Sequence, residues 1–356
     1  MRNTTNTPYI AGFAALCCSV LGVTSAMAAG YTVKDLGPGY PWDLNSKGQL
    51  VSSQNSGPVQ WNSDGTAQPL SDLTAALLIN DKGSVAGAAV TGGTDPRYPV
   101  QRLYFRDASG TNTLITGLSP VADVYTALIA IDGTDRVLAD SSYASPFFWS
   151  PQNPTITALH TLNNAIYELN LTGMNASGMV VGTGSKKALN SLGYTRVSFV
   201  GSTPAKGTDL GVITPIKTLT FTPSAINAVN QVVGSKESPK TLFSSASAKA
   251  YLWSMATGER LLPNLPGFKF TYPKKINAKG EVIGMTLKSD PATTPQDQVP
   301  YYWSAKTGAV DITTLLGSAK ASVNGLVARA INDAGQIAAA AMINGEWHAL
   351  LLTPTP

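Results

Sequence analysis

One alternation of apolar and polar positions recurs seven times along the chain: an apolar residue, Asn or Asp, two small or polar residues, a Gly-like position, then an apolar-rich run. The copies read LNSKGQLV from Leu44, INDKGSVAG from Ile79, IDGTDRVLA from Ile131, MNASGMVVG from Met174, INAVNQVVG from Ile226, INAKGEVIG from Ile276 and INDAGQIAA from Ile331. Such periodicity is the signature of a repeat architecture. Three positions after the Asn or Asp stand Gly48, Gly83, Asp135, Gly178, Asn230, Gly280 and Gly335. These are residue types that tolerate positive φ. An Asx residue opening the turn and a left-handed residue closing it predict a type I turn with a G1 bulge, so each copy reads as a β-hairpin. A calcium loop over Asp132 to Asp135 would need a run of alternating oxygen ligands that the sequence lacks.

After each hairpin a further strand ends on an aromatic residue in most copies, at Trp61, Phe105, Trp149, Phe199, Trp253 and Trp303. A fourth strand then runs toward Leu70, Leu114, Leu159, Leu210, Leu265 and Leu315, often through a Gly such as Gly65, Gly110, Gly258 or Gly308. Four short strands per unit describe the blade of an all-β propeller. The seventh copy ends at HALLLTP without its fourth strand, while YTVKDLG from Tyr31 matches the unit end KGTDLG from Lys206. Pairing that N-terminal strand with the last repeat would close a ring of seven four-stranded blades and leave no open edge. An open solenoid would need distinct capping units instead.

The first residues follow a different pattern. Arg2 precedes an apolar run from Ile10 to Val23, and Ala26 and Ala28 form an Ala-x-Ala site. This reads as a secretory signal peptide over residues 1–28, removed from a single repeat domain over 29–356. The apolar run falls short of the roughly 20 residues that span a bilayer. The expected location is therefore the periplasm or the exterior, with no transmembrane segment in the mature chain. Both cysteines, Cys17 and Cys18, fall within the leader, and Leu16 occupies the place where a lipidated Cys needs a small neighbour. The mature chain then has no thiol for disulfides or metal. Cleavage lowers the formal net charge from +4 to +3, too weak for a dedicated nucleic-acid binder.

These residues resemble the HAF-repeat family of exported bacterial proteins, whose units read roughly Ile-Asn-x-x-Gly-x-Val-x-Gly, then His-Ala-Phe-Leu-Trp, then Asp-Leu-Gly. INAVNQVVG with AYLW (Ala250 to Trp253), HALL (His348 to Leu351), and Asp35-Leu36-Gly37 and Asp209-Leu210-Gly211 carry the likeness. The His occurs only in the last copy, and copies three and four are degenerate. The resemblance covers nearly all of the mature chain and implies an extracytoplasmic β-repeat protein; it brings no chemistry to transfer.

Candidate chemistry is sparse. The chain has two histidines, His160 and His348, and the latter occupies the aromatic-strand slot, where a structural role is expected. No G-x-S-x-G segment exists, two His with no mature Cys leave only carboxylates as metal ligands, and no cofactor is expected. Glycoside chemistry would need two acids about 5 to 10 Å apart; Asp35, Asp72, Asp209 and Asp311 recur at unit ends, where turn capping is the simpler role. Trp61, Trp149, Trp253 and Trp303 read as inter-blade core, whereas Trp42 and Trp347 stand outside that register as candidate exposed contacts.

Loop length is the main irregularity. From turn residue to aromatic the run is 16 residues in copy one and 17 in copy three, against 25, 24, 26 and 26 in copies two, four, five and six. Insertions at equivalent places mark one face of a propeller, often the binding face. They hold Arg97, Arg102, Lys186, Lys187, Arg196, Lys236, Lys240, Lys249 and Lys288 with Tyr98, Tyr194 and Phe243, opposed by Asp95, Glu237, Asp290 and Asp297. The expected function is a non-enzymatic binding or scaffold module, most simply a monomer. Its ligand contacts would be Lys186, Lys187, Arg196, Lys236, Lys240, Trp42 and Trp347, and its partner an acidic envelope polysaccharide or protein. The alternative is a polysaccharide hydrolase or lyase using channel carboxylates.

Overall fold

A computed structural model describes residues 30–91, 100–116, 126–141, 144–161, 166–187, 194–202, 209–210, 213–216, 221–241, 245–290, 294 and 297–355. The strands form seven four-stranded antiparallel blades. The first strand of each blade is Tyr40–Leu44, Ala75–Ile79, Thr126–Ile131, Tyr167–Met174, Phe221–Ile226, Phe270–Ile276 and Asn324–Ile331. Each touches the first strand of the next blade, round to the start, so these seven line the axis. All end on the apolar residue that opens a repeat copy.

Every turn adopts the predicted conformation, with positive φ at Gly48, Gly83, Asp135, Gly178, Asn230, Gly280 and Gly335. In the first, Gly48 N–H donates to the Asn45 carbonyl at 3.1 Å, and Asn45 Oδ1 accepts from the amides of Lys47 and Gln49. The Asn does a second task that its local sequence does not reveal. Its Nδ2 reaches across to the next blade: Asn45 to the Asn80 carbonyl, Asn80 to Asp132, Asn175 to Asn227, Asn227 to Asn277, Asn277 to Asn332 and Asn332 back to Asn45, at 2.8 to 3.0 Å. Six of the seven seams are stitched in this way. The exception lies between blades three and four, because Asp132 has no amide to donate; its carboxylate instead holds its own turn and Arg136 Nε at 2.7 Å.

Each seam also buries one apolar cluster drawn from both blades. Trp61, Phe105, Trp149, Phe199, Trp253 and Trp303 are all buried there, as their repeat position predicts. The ring closes through Tyr31–Pro38, which pairs antiparallel with Glu346–Pro354 as the fourth strand of blade seven. Leu36 of that strand enters the cluster shared by blades seven and one. His348 Nδ1 lies 2.9 Å from both carboxylate oxygens of Asp35, which joins the two chain ends.

Blade four departs from the sequence expectation. Its fourth strand is Ile213–Ile216 rather than the segment leading to Leu210. Asp209–Leu210 instead pairs in parallel with His160–Thr161 outside the blade. The unit-end acids divide in use. Asp35 accepts from Gly37 N–H and Asp311 caps Thr313 N–H, both at 2.8 Å, while Asp72 accepts from Arg106 and Asn112.

Candidate binding site in the central channel

In all seven first strands the ladder to the second strand skips one residue, three positions before the turn Asx. The skipped residues are Trp42, Leu77, Ile129, Thr172, Ser224, Lys274 and Arg329. A bulge of this kind re-aims a side chain out of the ladder. All seven are half-buried, between neighbours that are mostly buried.

In four blades the two strands also approach closely at this point. A Cβ at Gly87, Gly182, Gly234 or Gly284 would lie 2.1 to 2.3 Å from the carbonyl oxygen of Ala75, Asn170, Thr222 or Tyr272, five residues before each turn. The glycine that ends VAG, VVG, VVG and VIG therefore allows the close approach in these blades, whereas blades one, three and seven form the same bulge with Ser52, Ala139 and Ala339 at that place. The scaffold is constant and the displayed residue varies: apolar in blades one to three, hydroxyl-bearing in four and five, cationic in six and seven.

Thr172, Ser224, Lys274 and Arg329 line a cavity of about 690 Å³ that extends into the cleft between blades six and seven. Its size suits a small-molecule ligand. Burial, reinforced by the charges of Arg329 and Lys275, lowers the Lys274 ammonium from its ordinary value to about 8. The guanidinium carbon of Arg329 sits 5.1 Å from the Tyr40 ring centre and 4.7 Å from that of Trp42. Its Nε is buried with no hydrogen-bond partner among the described residues. Trp42 Nε1 donates to Ser53 Oγ at 2.7 Å, which fixes the indole. Tyr40 packs against both Trp42 and Trp347, with ring centres 5.6 and 5.5 Å apart. Asp43 is the one acid on these first strands close to the cations; burial pushes its carboxyl up, opposed by Lys275 and by the Ile79 amide at 3.1 Å.

Of the residues singled out in the sequence, Trp42 and Trp347 thus meet around Tyr40, and Trp347 remains 41% exposed at the channel rim. The cations are dispersed. Lys187 and Arg196 share one sheet face in blade four with Tyr167 and Tyr194, whose rings are 5.9 Å apart, while the pleat turns Lys186 to the other face. Lys236 already has a partner: Glu259 lies 2.5 Å from its Nζ and the Tyr251 ring 4.5 Å away. Lys240 is exposed. Arg97, Asp95, Tyr98 and Phe243 lie outside the described residues. The turn-face acids Asp81 and Asp333 cap the Ser46 and Ala278 amides of neighbouring blades. No group of metal-ligating side chains occurs among the described residues.

Sequence reasoning missed Tyr40, Lys274, Lys275 and Arg329. A signal was present: the third position before the turn ranges from Trp to Arg while its flanks stay mostly apolar or small.

No family model and no curated protein matches this chain by sequence. Among solved structures it is similar to the β-propeller domain of the Trilobed protease from Pyrococcus furiosus, described as having an open velcro topology (8% identity, 92% of this chain and 94% of that one, TM-score 0.53). It is also similar to an acylaminoacyl peptidase from Pyrococcus horikoshii (10% identity, 80% of this chain and 45% of that one, TM-score 0.50). A third structure, YCF48 bound to D1 peptide, is similar at 11% identity over 92% of this chain and 97% of that one, with a TM-score of 0.49. At such identities the likeness shows the β-propeller fold alone.

Proposed function

We propose that this is a non-enzymatic binding protein that takes an anionic ligand into its channel. The observation that carries the reading is the pair Lys274 and Arg329. They are displayed at one bulged position in adjacent blades, partly desolvated, and without a carboxylate partner among the described residues. Cations withdrawn from water and set beside one another destabilise the free protein, and an oxyanion between them would relieve both costs. Perturbed titratable groups of this kind concentrate at functional sites. Tyr40 and Trp42 hold the guanidinium in place, and Trp347 packs against Tyr40 at the rim. The leader-like residues 1–28 and the HAF-type repeats support work outside the cytoplasm, where an acidic polymer or protein of the envelope would present such groups. Lys187 and Arg196 with Tyr167 and Tyr194 would extend the contact.

Titration calorimetry of the wild type with acetate, phosphate and a polyuronate oligomer, at low and high salt, tests the reading. Binding is expected to weaken with salt and to be lost in Lys274→Gln and Arg329→Gln. Equal binding by those variants would overturn it, and release of shortened oligomers would point to an enzyme.

A further inference from the structure

Every charged side chain that lines the cavity is a cation: Lys274, Lys275 and Arg329. The neutral polar groups beside them follow a spatial order. At the one bulged position, four consecutive blades present Thr172, Ser224, Lys274 and Arg329, and all four line this cavity. Two hydroxyls thus continue the arc that the two cations begin. A bare oxyanion held between Lys274 and Arg329 reaches only one end of that arc, and about 690 Å³ is far more room than it fills.

The hydrogen-bonding capacity left over has a definite character. Thr172 Oγ1 donates to the Val181 carbonyl at 3.3 Å and Tyr272 Oη donates to Asp290, so toward the cavity each of these two oxygens can only accept. Ser224 and the exposed Gln298 have no side-chain partner among the described residues and can do both. Acceptors need donors, which a bare oxyanion lacks. A cationic donor would be repelled by Lys274, Lys275 and Arg329. An apolar body would cover these groups and leave them unmet. A neutral group that donates as well as accepts meets them, and the hydroxyl is the simplest.

Resting on the anion reading above, we propose that the site takes a small polyhydroxylated oxyanion, a sugar acid or sugar phosphate. Its carboxylate or phosphate head lies between Lys274 and Arg329, and its hydroxyls extend along the arc to Ser224 and Thr172. This goes beyond charge matching, because it ranks ligands of equal charge and size by their hydroxyls. It also favours an acidic sugar over an acidic protein, whose carboxylate side chains carry none.

The test is calorimetry at constant pH and salt on pairs matched in ring and charge: glucuronate against cyclohexanecarboxylate, and a hexose phosphate against cyclohexylmethyl phosphate, with glucose and triglutamate as further probes. The hydroxylated member of each pair is expected to bind about two- to tenfold more tightly for each hydrogen bond gained. The pair that binds more tightly identifies the head, and glucose should bind far more weakly than glucuronate. In Ser224→Ala and Thr172→Val the advantage of glucuronate over cyclohexanecarboxylate should shrink by a similar factor. Ser224 gives up no internal bond, so Ser224→Ala decides the matter should Thr172→Val prove unstable. Equal affinity within each pair, an advantage undiminished in folded Ser224→Ala, or tighter binding of triglutamate than of glucuronate would overturn the inference and leave the anion reading standing. Failure of every anion to bind, or glucose binding as tightly as glucuronate, would overturn both.

Discussion

Burial and the charges of Arg329 and Lys275 bring Lys274 to about 8, so at neutral pH it is still protonated, and about one pH unit above that value most of the charge is gone. In the unfolded chain a lysine titrates near 10.4. Between those two values the folded state binds fewer protons, so the free protein gains stability as pH rises from about 8 toward 10. Ligand binding runs the other way, because the head needs the ammonium. Acetate affinity should therefore fall between about pH 7 and pH 9 in the wild type, while Lys274→Gln should bind more weakly with no such fall. Calorimetry at the two pH values decides it; a flat wild-type profile would remove Lys274 from the site.

Sequence reasoning came close to this residue and missed it for a physical reason. Trp42 and Trp347 stood out because a large aromatic off the repeat register needs explaining, and both pack against Tyr40. A single Lys or Arg in one copy of a strand looks like an edge residue. Only the bulge shared by seven blades reveals that Lys274 and Arg329 are equivalents of Trp42.

The hairpins were legible because their requirement is local: a left-handed residue three after the Asx, met by Gly, Asn or Asp each time. The bulges were not, since they depend on how the neighbouring strand pairs, in four blades through a glycine where a Cβ would strike a carbonyl. That separation makes a testable pair. Gly284→Ala and Gly87→Ala should each destabilise the fold by about 1–3 kcal/mol through overpacking, measured by urea unfolding. Gly284→Ala alone should also weaken acetate binding, because the strand it displaces carries Lys274 whereas Gly87 stands behind Leu77. Equal loss of binding in both variants would mean that the bulge does not position the site. The stitching amides offer a second handle. Asn227→Asp leaves the Asn277 carbonyl without its donor at 2.8 Å and should cost about 1–3 kcal/mol, the desolvation penalty of an unmet buried polar group.

For the molecule as a whole, the seven seams form a closed series, and a ring held only by neighbouring contacts is as strong as its least secured seam. The N-terminal strand was legible as the missing fourth strand of blade seven, because YTVKDLG repeats a unit end. The register that brings Asp35 to His348 and Leu36 into the adjacent seam was not, since it depends on a shift in the ladder between Asp35 and Gly37. Leu36 joins segments more than 300 residues apart in the chain, so its truncation should be felt around the ring rather than at one blade. Leu36→Ala is expected to cost about 2–5 kcal/mol, the range for a buried leucine, and to lower the thermal midpoint of the entire protein in one transition. Differential scanning calorimetry reads the outcome. A separate low-temperature transition, with the remainder unchanged, would mean that blades seven and one open on their own and that closure does not couple the ring.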